Sequence, residues 1–315
     1  MTRRSAAVRY WAALPVLLLV LGSALRCFRL GDQNLWWDEG LAIWAVRKTL
    51  AEATLWTASD VHPPLFFWTL WSWVRLVGEQ PFAARYLTVL WSLLLAALAF
   101  ALGRRLAGRW GGLLALTLVV LSRFMVWWST ELRMYMLAAL AVLAAVYATI
   151  AWLDATDRGG EDEVTDALST RRGWRALVCY VIAATAALYT VYLTAVALAV
   201  CNVAVGASLV RQGRREPRRP VWRPAVAWLA AQLAVVALYL PWLMTALPRM
   251  KTWRGAGEAA SMRFVLELWA TLLATGVSVA IDTVRGVVGL WWLAAILGPV
   301  AIVAWAWSQR MNPPL

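Results

Sequence analysis

The sequence predicts an all-α fold, a polytopic bundle of about nine transmembrane helices with one large structured loop on the extracytoplasmic side. Three observations predict it. The 315-residue chain is 62% hydrophobic and only 15% charged. Its apolar residues run in long blocks, where a soluble domain would alternate them or confine them to one helical face. Arginines cluster in short stretches between those blocks, where they orient membrane spans. That placement accounts for the net charge of +13 and argues against nucleic acid as a partner.

In chain order, charge-free runs locate spans at 10–25, 86–103, 134–153, 176–210, 224–248 and 286–309. Most approach the roughly 17 to 25 residues that a bilayer core requires. Shorter blocks at 110–122 and 268–281 become spans when Arg123 and Glu267 lie at the interface or inside the bundle. The first run follows Arg3, Arg4 and Arg9 and ends at Leu25-Arg26-Cys27-Phe28-Arg29; it is read as an uncleaved span.

The 176–210 run is too long for one ordinary helix. As a single crossing it would place the arginine-rich 211–223 segment opposite the other basic loops. Two helices joined tightly at Tyr189-Thr190-Val191-Tyr192 keep that segment cytoplasmic. The resulting topology has 1–9, 104–109, 154–175, 211–223 and 282–285 inside, and 29–80, 128–132 and 249–262 outside. The expectation is a single transmembrane domain over 1–315, with 29–80 as its first extracytoplasmic loop and 154–173 as an acidic, solvated cytoplasmic linker. Many of the 23 tryptophans fall near span ends and supply belts against membrane lipids. Cys27, Cys179 and Cys201 lie within or beside apolar blocks without paired spacing, as structural thiols do.

The 29–80 loop is longer than a helix connection needs and is not low in complexity, which points to function. Within it, 65–74 is apolar, carries Trp68, Trp71 and Trp73, and is too short to span; an interfacial or re-entrant helix fits. Pro63 and Pro64 suit its first turn, leaving His62 to turn back into the loop. Upstream, Trp36-Trp37-Asp38-Glu39-Gly40 sets two carboxylates among interfacial aromatics, where an unpaired charge is costly. Adjacent residues diverge on a helix or strand, so one of Asp38 and Glu39 faces substrate and the other structures the loop.

Arg85 begins the next span, and Glu131, Arg133 and Tyr135 occupy the next outer turn. Glu131 and Tyr135, four apart, share a helical face, while Arg133 projects elsewhere toward a phosphate. His62, Arg85, Glu131, Arg133 and Tyr135 are therefore the substrate- or phosphate-binding candidates. One histidine beside carboxylates is an incomplete ligand set; no metal and no organic cofactor is assigned.

These segments, in this order, resemble the membrane glycosyltransferases of the GT-C type, in particular the protein O-mannosyltransferase and aminoarabinose-transferase group of glycosyltransferase family 39. Four motifs carry the resemblance: Leu35-Trp36-Trp37-Asp38-Glu39-Gly40, His62-Pro63-Pro64-Leu65, Ala84-Arg85-Tyr86-Leu87 and Glu131-Leu132-Arg133-Met134-Tyr135. Weaker similarity continues through Leu188-Tyr189-Thr190 and Leu240-Pro241-Trp242. The resemblance implies transfer of a sugar from a polyprenyl-phosphate donor to an acceptor on the outer face, with Asp38 as catalytic base and Glu39 beside it. It also implies a multi-pass protein of a prokaryotic plasma membrane. The resemblance implies a histidine where this chain has Val191-Tyr192 and a longer chain, so a truncated or minimal member is among the expectations. A lipid-glycan flippase and a non-catalytic assembly subunit are the competing expectations.

Overall fold

The structure, a computed structural model, describes residues 3–60, 62–157, 171–216 and 220–249, together with Met262, Glu267 and Leu268. The spans expected at 268–281 and 286–309 and most of the 154–173 linker lie outside the described residues. Ten α-helices and no strand occur among those described. Four of them, Pro81–Leu121, Tyr135–Asp157, Thr194–Arg215 and Trp222–Ala246, are long and apolar enough to cross a membrane.

The chain divides into two compact units. The first contains α1 (Arg3–Cys27), the second half of α5 (Pro81–Leu121) and α6 (Arg123–Thr130). The two blocks expected at 86–103 and 110–122 form one stretch broken by non-helical Ala107 and Gly108, the latter at φ 68°. A positive φ costs glycine little, and here it lets the chain double back. The two arms then touch at small residues: a Cβ built on Gly112 would lie 2.9 Å from Phe100 O, and one on Gly103 would overlap Gly111 O. Small residues at such a crossing let backbones approach closely, which drives helix pairing in lipid. The second arm stops at Leu121, and Ser122 caps α6 by accepting from the Met125 N–H. Arg26 of α1 is fully buried and donates to Val119 O and Val120 O, in the last turn of that arm. This satisfies carbonyls that a helix end leaves open.

The second unit begins with the loop helices α2 (Trp37–Val46), α3 (Leu50–Ser59) and α4 (Leu65–Val77). In α3, Thr49 and Glu52 form a reciprocal cap. The 13-residue α4 is amphipathic: Phe66, Phe67, Leu70 and Val74 are buried, with Phe66 edge-on to Trp91 of α5. Its indoles are tied down at their N–H groups, Trp68 to Thr54 Oγ1, Trp71 to Lys48 O and Trp73 to Ala83 O. Arg75 lies over the Trp71 ring and donates to Val46 O and Lys48 O. Pro64 is the residue before α4 and not part of its first turn.

The remaining helices are α7 (Tyr135–Asp157), α8 (Arg171–Leu188), α9 (Thr194–Arg215) and α10 (Trp222–Ala246). The 176–210 run is thus two helices joined over 189–193. Alanines on facing helices (Ala145, Ala148, Ala183, Ala184, Ala227, Ala231) leave room for a packed aromatic set of Trp152, Tyr180 and Trp228. Tyr180 and Trp228 ring centres are 4.4 Å apart.

Candidate active site

Asp38 and Glu39 sit in the first turn of α2, where carboxylates complement the positive helix end. The adjacent side chains then part company. Glu39 is fully buried. Its Oε1 accepts from Arg85 Nε at 2.9 Å and from the Leu132 N–H at 2.8 Å; its Oε2 accepts from Arg85 Nη2 at 2.6 Å and from the Trp36 N–H at 3.3 Å. Glu39, a catalytic candidate on sequence grounds, is an internal anchor with both oxygens engaged.

Arg85 is equally committed. Besides the two bonds to Glu39, Nη1 donates to Leu30 O and Gln33 O, and Nη2 to Asn34 O. A guanidinium has five N–H donors, and all five are used within the loop and helix start. Arg85, expected from the sequence to meet a phosphate, thus has each of its N–H donors engaged within the protein.

Asp38 instead faces a pocket, 34% exposed at its side chain, with Oδ2 3.1 Å from Nη1 of Arg133. Leu132 and Arg133 are neighbours, so the bond from Glu39 to the Leu132 N–H places Arg133 against Asp38. Buried Nε of Arg133 has no hydrogen-bond partner, and the guanidinium lies 5.8 Å from the Tyr135 ring centre. The pocket encloses about 170 Å³, less than the roughly 300–1,000 Å³ of sites for drug-sized molecules. Polar Asp38, Asp60, His62 and Arg133 share it with apolar walls including Leu41, Trp56, Phe66 and Met134.

Glu131 and Tyr135 do not share a helical face. Glu131 ends α6 as its C-cap residue in extended conformation (φ −91°, ψ 133°), and α7 begins only at Tyr135. The intervening irregular turn is what lets Leu132 and Arg133 point to separate partners. His62 lies in the pocket, but Nδ1 is 2.9 Å from Asp60 Oδ2, so the carboxylate it meets directly is not Asp38. In the sequence Asp60 reads only as the polar limit of the apolar 65–74 stretch; its spacing of two from His62 is the one signal there of a role in the site. The weaker motifs pack behind this turn: the Leu65 N–H donates to Tyr189 O at 2.9 Å, and Ala58, Trp242 and Ala246 form a buried cluster with Tyr189 and Tyr192 against it. Burial pushes the Tyr192 phenol up, and the Asp60 charge adds to this. Among the described residues, no group of three or more His, Cys, Asp or Glu is arranged to hold a metal ion.

No curated protein matches the chain significantly. Residues 61–160 match the family model for dolichyl-phosphate-mannose-protein mannosyltransferases. The matched segment starts beside His62 and contains Arg85, Arg133 and Tyr135, while Asp38 and Glu39 precede it. The match supports the resemblance carried by the motifs, that of a GT-C type membrane glycosyltransferase.

Proposed function

We propose that the protein transfers a sugar from a polyprenyl-phosphate donor to an acceptor hydroxyl on the extracytoplasmic face of the membrane, with Asp38 as general base. The observation that carries this reading is the Asp38–Arg133 pair, one carboxylate and one cation 3.1 Å apart at the wall of a pocket of mixed polar and apolar lining. The Asp38 carboxylate takes the proton of the acceptor hydroxyl, whose oxygen attacks the anomeric carbon as the bond from that carbon to the phosphate oxygen breaks. Charge gathers on the departing lipid phosphate, and the Arg133 guanidinium, paired with Asp38 at the pocket, is the cation assigned to stabilise it. Displacement in one step inverts the anomeric centre.

Glu39 and Arg85 act at one remove in this scheme. They hold the first turn of α2 and the Leu132-Arg133 segment in register, so that Asp38 and Arg133 meet. The deciding experiment supplies labelled polyprenyl-phosphate sugar to membranes containing wild-type protein or Asp38→Asn. Undiminished transfer by the variant would sink the assignment.

A further inference from the structure

Asp60 and His62 line the same pocket as Asp38 and Arg133 without contributing to the displacement described above. Both are partly shielded, with side chains 32% and 23% exposed. Asp60 is the C-cap residue of α3, its N–H donating to Trp56 O and Thr57 O. Beyond the two prolines the chain is held again, where the Leu65 N–H reaches Tyr189 O. The turn carrying His62 is therefore fixed at both ends.

An ionised carboxylate can only accept hydrogen bonds, so the proton between Asp60 Oδ2 and His62 belongs to Nδ1. In the neutral ring this leaves the lone pair on Nε2, and no hydrogen bond among the described residues engages Nε2. Among the described residues, the charged and titratable groups around the pair include Asp38 and Arg133 across the pocket and Tyr192 beside Asp60.

We propose that Asp60 and His62 form a second functional pair of the pocket, in which Asp60 holds His62 in the Nδ1–H tautomer and His62 Nε2 accepts a hydrogen bond from a hydroxyl of the bound sugar. Asp60 is thereby a positioning residue, and His62 a specificity-determining one. Their role is to orient the sugar ring so that its anomeric carbon faces the acceptor oxygen activated at Asp38. The identity of the hydroxyl's owner rests on the glycosyl-transfer reading; the tautomer does not.

The chain contains a single histidine, so histidine-selective ¹⁵N labelling of the full protein in detergent reports on His62 alone. In the spectrum of the neutral ring, Nδ1 is expected to be protonated and Nε2 unprotonated, the reverse of the preference of the free histidine side chain. Asp60→Asn should return the population toward Nε2–H. A wild-type spectrum dominated by Nε2–H overturns the pair, and this measurement needs no variant to fold.

In transfer assays, His62→Ala and Asp60→Asn should raise KM for the sugar donor by about 2- to 10-fold, the change expected from losing one neutral hydrogen bond, with a smaller effect on kcat. His62→Gln, which keeps an amide oxygen near the Nε2 position, should recover most of the loss. An unchanged KM in His62→Ala overturns the hydroxyl contact. If the wild-type protein transfers no sugar, the glycosyl-transfer reading falls, while the spectrum still decides whether Asp60 sets the tautomer.

Discussion

Arg85 and Glu39, 46 positions apart in the sequence, meet in a buried two-bond ion pair with contacts of 2.9 and 2.6 Å. The pair joins the loop carbonyls at Leu30, Gln33 and Asn34, the start of α2, the start of α5 and the Leu132 N–H. Removing one member strands the other as a buried charge, at a cost of about 3–5 kcal/mol. Arg85→Ala should therefore lower the thermal midpoint in detergent far more than substitution of exposed Arg47, whose partner Glu79 is also at the surface. Arg85→Lys should fail to rescue it, because an ammonium cannot match the five-donor fork. Equal midpoints for the Arg85 and Arg47 variants would contradict this account.

Asp38→Asn should behave oppositely. The side chain is one-third exposed and pairs with a single cation, Arg133, so the melting midpoint should move little. Loss of a general base lowers turnover by about 10²–10⁴-fold. Parallel scans and transfer assays on the same preparation separate the two effects; a variant that loses activity only through unfolding would remove Asp38 from the chemistry.

Arg133→Gln tests the phosphate end of the pocket. Hydrogen bonds to charged groups contribute roughly 1.5–3 kcal/mol, so donor affinity should fall by about 10- to 100-fold. Arg133→Lys should restore part of it by keeping the charge. Titration with a short-chain polyprenyl phosphate lacking the sugar isolates this contact. Unaltered binding by Arg133→Gln would place the phosphate elsewhere.

The helical class is legible in the sequence because a long apolar block in lipid must satisfy its backbone groups internally, as a helix does. The charge pattern also separates α8 from α9, since keeping 211–223 on the side of the other basic loops requires two crossings. Within the site, sequence pattern narrows function to the Asp38-Glu39 dipeptide but does not divide the roles. That division depends on Arg85 and Leu132, whose N–H groups donate to Glu39. Arg85 looks available for a phosphate because its three carbonyl partners, at Leu30, Gln33 and Asn34, carry no signature in side-chain pattern. Asp60 stays hidden for a related reason: a carboxylate beside an apolar stretch reads as its boundary until the turn brings it onto His62.

The break at Ala107 and Gly108 yields the last prediction. Folding the arms of α5 together leaves no room at Gly103, where an added Cβ meets Gly111 O and lies 2.9 Å from Ala115 Cβ. Backbone and a short alanine cannot swing aside, so Gly103→Ala should destabilise by about 1–3 kcal/mol through overpacking. At Gly206 in α9 nothing lies within 4 Å of where a Cβ would stand, and Gly206→Ala should be neutral or stabilising by up to about 1 kcal/mol, since alanine is the better helix former. Melting midpoints measured on both variants in one detergent provide the comparison. The close approach of the arms predicts opposite signs, and a Gly103→Ala protein as stable as Gly206→Ala would mean that the arms are not in contact.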